Sequence, residues 1–298
     1  MISVIMGVFN TPKSYIDTSI QSILNQTYKD FEFIICNDCC TDDTFEYIRN
    51  KYHDKRIVWI SNEKNMGLAY TLNHCLKYSK GEYIARMDTD DYSFPERFEK
   101  QLNILKNNKN IDIVNCNVNV FDDRGIYGAR KYSEYIEFKD FLLNNPIVHP
   151  SIMGRKSAFS KVGNYRDLPF TMRNEDYDLF LRMLNKGVTF YTLQDIVFNF
   201  RENTQSLKRR KYKYRINEYM VKFDNFKRMN ILPKYYIFCL KPLIVGLIPG
   251  KILLKIRNDL FYIHAFYIFK FTFKKIQITL LCRFFAYVSI VRLPIWCV

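Results

Sequence analysis

The sequence predicts an α/β fold built on a doubly wound sheet, and three observations support this prediction. Strand and helix patterns alternate four times within about the first ninety residues, which implies parallel strands joined by helical crossovers. The strands are unbroken apolar runs, which are typical of a sheet that is buried on both faces. The chain of 298 residues is 48% hydrophobic, which supports a substantial core.

The first half of the chain supplies these elements in order. Its apolar strand runs end at polar, glycine or proline positions, and the segments between them place apolar residues at helical spacing. The Thr41–Thr44 segment offers N-cap side chains for the second helix. The predicted elements are strand 2–6, helix 13–27, strand 31–36, a helix capped by Thr41–Thr44 that runs through about Tyr52, strand 57–60, a helix that follows Gly67 and ends at Tyr78, and strand 83–87.

The second half of the chain has less regular patterns. A helix is expected to begin near Pro95, and the apolar run at 111–120 predicts a further strand. The segments 134–144 and 176–186 have helical character. The closing strands are predicted at 188–191 and 196–200.

Charge divides the chain into two unequal parts. The net charge is +15, but residues 1–206 carry 26 basic and 27 acidic side chains, whereas residues 207–298 carry 19 basic and three acidic ones. We therefore expect an α/β catalytic domain over 1–205 and a basic helical region over 206–298. No stretch of that region reaches about 18 uncharged apolar residues, so a membrane-spanning helix is not expected.

The basic region indicates a partner of opposite charge. Basic amphipathic helices with aromatic residues are drawn to anionic membrane surfaces, and we expect that association here. The alternative is a helical subdomain that packs on the α/β domain with its Lys and Arg in solvent. Nucleic acid is not expected, because the sequence has no zinc-finger or RNA-binding signature. The eight cysteines lack metal-ligand spacing and the N-terminus lacks a basic n-region, which indicates a reducing cytoplasm without a secretion signal.

The acidic segment Asp88-Thr89-Asp90-Asp91 directly follows the predicted strand 83–87. Carboxylates gathered at the end of a strand repel one another, and a hard divalent cation is the usual compensation. Open α/β sheets bind their ligands at the carboxyl ends of the strands. The segment therefore indicates a metal held against a diphosphate, and the alternative is a solvated acidic turn before the next helix.

Six motifs resemble those of family 2 glycosyltransferases, in the family's order, over residues 2 to about 200. They are Ile2–Asn10, Ser22–Tyr28 with Phe31–Ile35, Asn65–Leu68, Ala85–Asp91, Pro95–Phe98 and Asn174–Arg182. The resemblance implies a GT-A fold and an inverting transfer of a sugar from a nucleotide-sugar to a hydroxyl, with Mg²⁺ or Mn²⁺ as cofactor. One position departs from the family pattern: Cys39 stands where a glycine usually gives the loop its backbone freedom.

The resemblance also implies roles at a donor site. Asp38 would read the nucleobase, for example by accepting the imide N–H of uracil, Asp88 would lie near the ribose and Asp90 would ligate the metal. Structural alternatives are a turn or helix cap for Asp38, an ordinary turn glycine for Gly67 and an ion pair for Arg86. The remaining expected donor-site residues are Val8, Phe9, Asn10, Gly67 and Arg86.

In the acceptor half, the resemblance makes Asp176 the general base and Glu175 the residue that orients the acceptor. The alternative is a pair of helix N-terminal acids favoured by the helix dipole. His149 is expected to contact the acceptor or a phosphate, or else to be a satisfied loop histidine.

The expected function is transfer from a UDP-sugar to a lipid-linked or growing glycan during cell-surface polysaccharide synthesis. The enzyme would be bound peripherally to the cytoplasmic face of the membrane, because its basic region is directed to that surface. The alternatives are a sugar nucleotidyltransferase and a non-catalytic membrane-associated scaffold with a degenerate transferase domain.

Overall fold

The computed structural model describes residues 1–202 and 211–248, and it has the expected α/β fold. The strands are β1 (Ile2–Val8), β2 (Phe31–Asn37), β3 (Ile57–Ser61), β4 (Tyr83–Arg86), β5 (Tyr92–Ser93), β6 (Ile113–Asp122), β7 (Gly125–Arg130), β8 (Tyr135–Ile136), β9 (Met153–Arg155) and β10 (Phe190–Arg201). The helices are α1 (Lys13–Leu24), α2 (Thr44–Lys51), α3 (Leu68–Tyr78), α4 (Arg97–Asn107), α5 (Phe138–Phe141), α6 (Lys156–Ser160), α7 (Glu175–Asn185), α8 (Tyr212–Arg228) and α9 (Leu232–Leu247).

Within the described residues, a ten-stranded mixed sheet has the order β3-β2-β1-β4-β9-β6-β10-β5, with β7 paired to β6 and β8 paired to β10 beside this path. The strands β3, β2, β1 and β4 are parallel, and Ile5 of β1 lies in register with Ile34 of β2 and Arg86 of β4. β9 is antiparallel to both β4 and β6, whereas β10 runs parallel to β6. The carboxyl ends of the first four strands therefore share one edge.

The sheet is buried on both faces, as its unbroken apolar strands predict. Val4 of β1 packs in a cluster with Ile20 of α1, whereas the adjacent Ile5 packs in a second cluster with Leu72 of α3. Successive side chains of a strand point to opposite faces, so both faces of an unbroken apolar strand must be covered. This double burial fixes the positions of the loops that leave the carboxyl edge.

Three details of the second half differ from the sequence-based expectation. The segment 134–144 is not one helix, because Ile136 pairs with Phe190 of β10 and only the short α5 follows. The two closing strands are one strand, β10, with register shifts on both sides of Ile196. Neither β7 nor β9 was predicted, and the three residues of β9 are too few to show a period.

Helices α8 and α9 form a hairpin that packs on the α/β domain. Gly246, near the end of α9, lies against the ring of Tyr212 at the start of α8. Asn225 of α8 donates a hydrogen bond to Asp178 of α7 at 3.0 Å. The expectation of basic helices over 206–298 meets described residues only at 211–248, and the rest of that range lies outside them. No helix in the described residues is both long and apolar enough to cross a membrane.

Candidate active site

A cleft of about 1410 Å³ opens at the carboxyl edge of the sheet. Its walls come from the loop after β1, from residues 65–69 at the start of α3 and from the segment that leads into α7. The expected site residues in its lining are Val8, Phe9, Asn10, Asp38, Gly67, Asp90 and Glu175. The expected site residues outside that lining are Arg86, Asp88, Asp176 and His149.

Asp38 follows β2, and both of its carboxylate oxygens are hydrogen-bonded. Oδ1 accepts from Asn62 Nδ2 and from the main-chain N–H of Met66, each at 2.8 Å, and Oδ2 accepts from the N–H of Gly67 at 2.9 Å. Gly67 has a φ of 83°, in the left-handed region that favours glycine. A carboxylate has about four acceptor positions, so one remains for a donor from a ligand. Asp38 therefore clamps the cleft wall, and one of its acceptor positions is left over.

The loop at Cys39 keeps a glycine-like backbone although its residue is not glycine. Cys39 has a φ of 60°, and the next residue, Cys40, donates its N–H to Asn37 Oδ1 at 2.8 Å. Asn10 fastens the loop to β1, because it accepts from the N–H of Thr41 at 2.9 Å and donates to its hydroxyl at 2.7 Å. A left-handed non-glycine residue costs roughly 1–2 kcal/mol, and these bonds hold it there.

Asp88, Asp90 and Asp91 have carboxylate oxygens that all lie within 4.8 Å of one another. Arg86 forms a bidentate ion pair with Asp88 at 2.8 and 2.5 Å. Burial, reinforced by the neighbouring carboxylates, raises the pKa of Asp90 to about 6 and that of Asp91 well above its usual range. The Asp91 Oδ2 atom is buried and has no hydrogen-bond partner among the described residues. An orphaned oxygen among three gathered carboxylates fits a divalent cation with oxygen ligands.

Arg201, at the end of β10, borders this acidic cluster. Its guanidinium lies 3.9 Å from the ring centroid of Tyr15 and 4.3 Å from that of Phe121. It donates to Asp123 Oδ1 at 2.7 Å and to the main-chain carbonyl of Asp90 at 3.0 Å. With all groups ionised, four carboxylates face two guanidinium groups, an excess of two negative charges that one Mg²⁺ or Mn²⁺ would balance. These groups are Asp88, Asp90, Asp91 and Asp123 on one side and Arg86 and Arg201 on the other.

Glu175 and Asp176 form a second acidic pair at the start of α7. Burial, followed by the charge of Asp176, raises the pKa of Glu175 to about 7. Burial also raises the pKa of Asp176, while main-chain N–H groups, the charge of Arg86 and a 2.8 Å hydrogen bond from Asn145 Nδ2 oppose that rise. Carboxyl groups with raised pKa values are suited to proton transfer near neutral pH.

Arg86 lies electrostatically between the two acidic groups. Its side chain is 2% exposed and its ion pair goes to Asp88. Its charge also lowers the pKa values of Glu175 and Asp176. The ion-pair alternative for Arg86 is therefore what the structure shows, and one buried cation serves both groups.

His149 lies in a buried 3₁₀ turn, His149–Ser151, and not in the lining of the cleft. Its Nε2 is 2.7 Å from the hydroxyl oxygen of Tyr165. Burial, with the charge of Arg86, holds the pKa of this histidine well below its usual value. His149 is thus a satisfied loop histidine, and an acceptor contact finds no support in its position.

The sequence reasoning missed two residues of the site, Arg201 and Asn145. Arg201 had a readable signal, because it is a cation at the carboxyl end of the last predicted strand. Asn145 had none, since its contact with Asp176 joins positions 31 residues apart.

A mixed sheet with a cleft at its carboxyl edge, an acidic cluster after β4 and an acidic pair at the start of α7 define the class of GT-A glycosyltransferases. The family described as glycosyl transferase family 2 matches residues 3–163, and the chain belongs to that family.

Two relatives illustrate this membership, and one solved structure shares the fold. EpsE of Bacillus subtilis (strain 168), named as a glycosyltransferase, is 37% identical over 85% of this chain and 91% of its own. The Escherichia coli UDP-Glc:alpha-D-GlcNAc-diphosphoundecaprenol beta-1,3-glucosyltransferase WfaP is 30% identical over 80% of this chain and 91% of its own. S. aureus TarS in complex with UDP-GlcNAc superposes with a TM-score of 0.62 at 16% identity, over 83% of this chain and 71% of that one.

Proposed function

We propose that this glycosyltransferase inverts the anomeric centre of a UDP-sugar while transferring the sugar to a hydroxyl of a lipid-linked or growing glycan in cell-surface polysaccharide synthesis. The observation that carries the proposal is the pair of acidic groups on the two sides of Arg86. One group is suited to a metal diphosphate and the other to a proton. The name of WfaP, a UDP-glucose-dependent enzyme with a diphosphoundecaprenol acceptor, supports this donor and acceptor class.

On the donor side, Asp90 would hold Mg²⁺ or Mn²⁺ together with the neighbouring carboxylates of Asp88 and Asp91, and Asp88 would also lie near the ribose. When bound, the ion supplies Lewis-acid stabilisation of the charge on the departing nucleoside diphosphate. Asp38 offers its remaining acceptor position to the imide N–H of uracil. Val8, Phe9, Asn10 and Gly67 give the nucleoside a wall built largely from main chain.

On the acceptor side, Asp176 removes the proton of the acceptor hydroxyl as its oxygen attacks the anomeric carbon. The new carbon–oxygen bond forms on the face opposite the bond to the diphosphate, which breaks with its electron pair going to the leaving group. Glu175, which lines the cleft, orients the acceptor. The positive charge of Arg86 favours the ionised forms of both acids, which suits Asp176 to act as a base.

The domain division is part of the proposal, with a catalytic domain over 1–205 and a membrane-directed region over 206–298. Exposed apolar side chains on α9 support it, since Ile237, Ile244 and Leu247 are 65%, 55% and 73% exposed. Such side chains in a region with 19 basic and three acidic residues suit the surface of an anionic membrane at its cytoplasmic face.

The first experiment is hydrolysis of a panel of nucleotide-sugars by the full chain, with and without Mn²⁺, followed by release of nucleoside diphosphate. We expect metal-dependent turnover of one UDP-sugar, and its loss in Asp90→Ala. Turnover of none of them, with no metal-dependent binding, would favour the scaffold alternative. Formation of nucleotide-sugar from sugar phosphate and nucleoside triphosphate would favour the nucleotidyltransferase.

The membrane association is tested by sedimentation with lipid vesicles. We expect the chain to sediment with phosphatidylcholine vesicles that contain roughly 30% phosphatidylglycerol, because anionic lipid attracts basic segments. Raising the salt concentration is expected to release it, since the attraction is electrostatic. Equal sedimentation with pure phosphatidylcholine vesicles would contradict the electrostatic part of the proposal.

A further inference from the structure

Two lysines on the inner side of the α8–α9 hairpin are buried, although lysine is ordinarily a surface residue. Lys222 of α8 is 0% exposed and Lys241 of α9 is 7% exposed. Glu218 Oε1 lies 3.9 Å from Lys222 Nζ. Burying an ammonium group is costly unless its donors are satisfied, and two neighbouring ammonium groups also repel one another. An arrangement this costly points to a specific task for the two amines.

Both amines bind the same short main-chain segment, Leu142–Asn144. Lys222 Nζ donates to the carbonyl of Leu142 at 3.1 Å. Lys241 Nζ donates to the carbonyl of Leu143 at 2.6 Å and to Asn144 Oδ1 at 2.7 Å. The hairpin thus holds this segment through amine donors that reach inward from two helices.

The residue that follows this segment, Asn145, contacts the proposed base. Asn145 Nδ2 donates to Asp176 Oδ2 at 2.8 Å, and the Asn145 Oδ1 accepts the N–H of Ile147 at 3.1 Å, which fixes the amide's orientation. The hydroxyl of Tyr177, adjacent to the base in sequence, donates to the carbonyl of Phe141 at the other end of the segment. The segment is therefore bonded to the hairpin on one side and to the start of α7 on the other.

We propose that Lys222 and Lys241 are positioning residues for the acceptor base: they hold Leu142–Asn144 so that Asn145 orients the Asp176 carboxylate. The inference rests on the proposed role of Asp176 and adds the C-terminal hairpin to the catalytic machinery. Because Asn145 donates to the ionised form of Asp176, its hydrogen bond also lowers the pKa of the base. The other titratable groups that face Asp176 are Glu175, Arg86, Tyr165 and Tyr177.

The test compares Lys222→Met and Lys241→Met with Lys227→Met and Lys234→Met, which alter exposed lysines on the same two helices. The readouts are UDP affinity with Mn²⁺ and kcat for hydrolysis of the UDP-sugar that the panel selects, with water in place of the acceptor. A displaced base costs up to about 100-fold, so we expect kcat to fall about 10- to 100-fold in the buried-lysine variants with unchanged UDP affinity. The exposed-lysine variants keep the kcat of the parent chain.

Two further readouts separate positioning from general loss of structure. Asn145→Ala is expected to lower kcat by a similar factor, and Lys241→Met combined with it adds little, because both act through one hydrogen bond. Asn145→Ala and Lys241→Met each shift the acidic limb of the kcat–pH profile to higher pH, since the Asp176 carboxylate loses a donor to its ionised form. Lys241→Gln, which keeps a donor, is expected to recover part of the lost kcat.

The outcomes distinguish the inference from the function on which it rests. Full activity in a folded Asp176→Asn variant would overturn the proposed base itself. Loss of activity in Asp176→Asn together with unchanged kcat and pH profile in Asn145→Ala would overturn only the positioning role, even if the lysine variants failed to fold. Additive losses in the double variant, or a parallel loss of UDP affinity, would also overturn it.

Discussion

The two acidic groups of the cleft differ in how their repulsion is compensated. The group at Asp88–Asp91 has its carboxylates within 4.8 Å of one another, two arginines nearby and a buried oxygen without a partner. The pair Glu175–Asp176 has the start of α7, an amide donor from Asn145 and the more distant charge of Arg86. The first group fits a divalent cation, and the second is compensated by hydrogen-bond donors, while burial raises pKa values in both groups.

The unfavourable energy of gathered, buried carboxylates can be relieved in two ways, by a bound metal ion or by a proton. A cation is favoured where oxygens converge, because a divalent ion needs several oxygen ligands. A proton is favoured where carboxyl groups are buried beside fewer partners, since protonation removes the cost of a buried charge. In the proposed mechanism, the same cleft uses a metal ion for the leaving group and a proton-accepting carboxylate for the attacking group.

The largest expected effects come from substituting one carboxylate of each acidic group and comparing the two variants in the same assays. Asp176→Asn is expected to lower kcat for transfer or hydrolysis by about 10²- to 10⁴-fold with UDP affinity unchanged, the range for loss of a general base. Asp90→Asn is expected to abolish the Mn²⁺ dependence of UDP binding. Binding calorimetry and product release measure the two quantities. Asp195→Asn, at an exposed ion pair with Lys100, is the control. Loss of the Mn²⁺ dependence of UDP binding in Asp176→Asn, with that dependence kept in Asp90→Asn, would contradict these assignments.

Metal addition separates the two groups through stability. Mn²⁺ at about 100 times its dissociation constant is expected to raise the free energy of unfolding by about 2.7 kcal/mol, because it binds only the folded chain. Asp90→Asn should stabilise the metal-free protein, since it reduces repulsion, and should remove the response to Mn²⁺. Glu175→Gln should keep that response. Thermal unfolding with and without Mn²⁺ measures this, and a lost response in Glu175→Gln would contradict the assignment.

The pH dependence of stability tests whether a proton on Glu175 relieves the cost of its buried charge. The pKa of Glu175 rises from 4.5 to about 7 on folding, so the folded state holds this proton more tightly than the unfolded chain does. This contribution to stability is complete below about pH 4.5 and is lost as the pH rises through about 7. Glu175→Gln should therefore stabilise the protein more at pH 8 than at pH 5 in urea unfolding. An equal effect at both pH values would mean that Glu175 is ionised throughout.

The sequence predicted the parallel half of the fold and seven of the residues that line the cleft, because those features depend on local patterns. Apolar runs such as 31–36 mark a doubly buried strand, and the residues that follow such strands must lie at the carboxyl edge. It did not predict β9 or the Asn145 contact, which depend on packing between distant segments. The position of His149 was equally hidden, since burial of a loop depends on what covers it.

The smallest expected effect comes from Cys39, in the loop after Asp38 and outside both acidic groups. Cys39→Gly should raise the free energy of unfolding by about 0.5 to 1 kcal/mol, because glycine relieves a left-handed backbone that costs roughly 1–2 kcal/mol and loses part of that gain through its greater freedom when unfolded. Urea unfolding measures the change, with Cys40→Gly as the control, since Cys40 does not have a left-handed φ and should be destabilised. If Cys39→Gly leaves the stabilisation by Mn²⁺ and the pH dependence of unfolding unchanged, backbone strain at Cys39 is independent of the metal site and of the Glu175 proton.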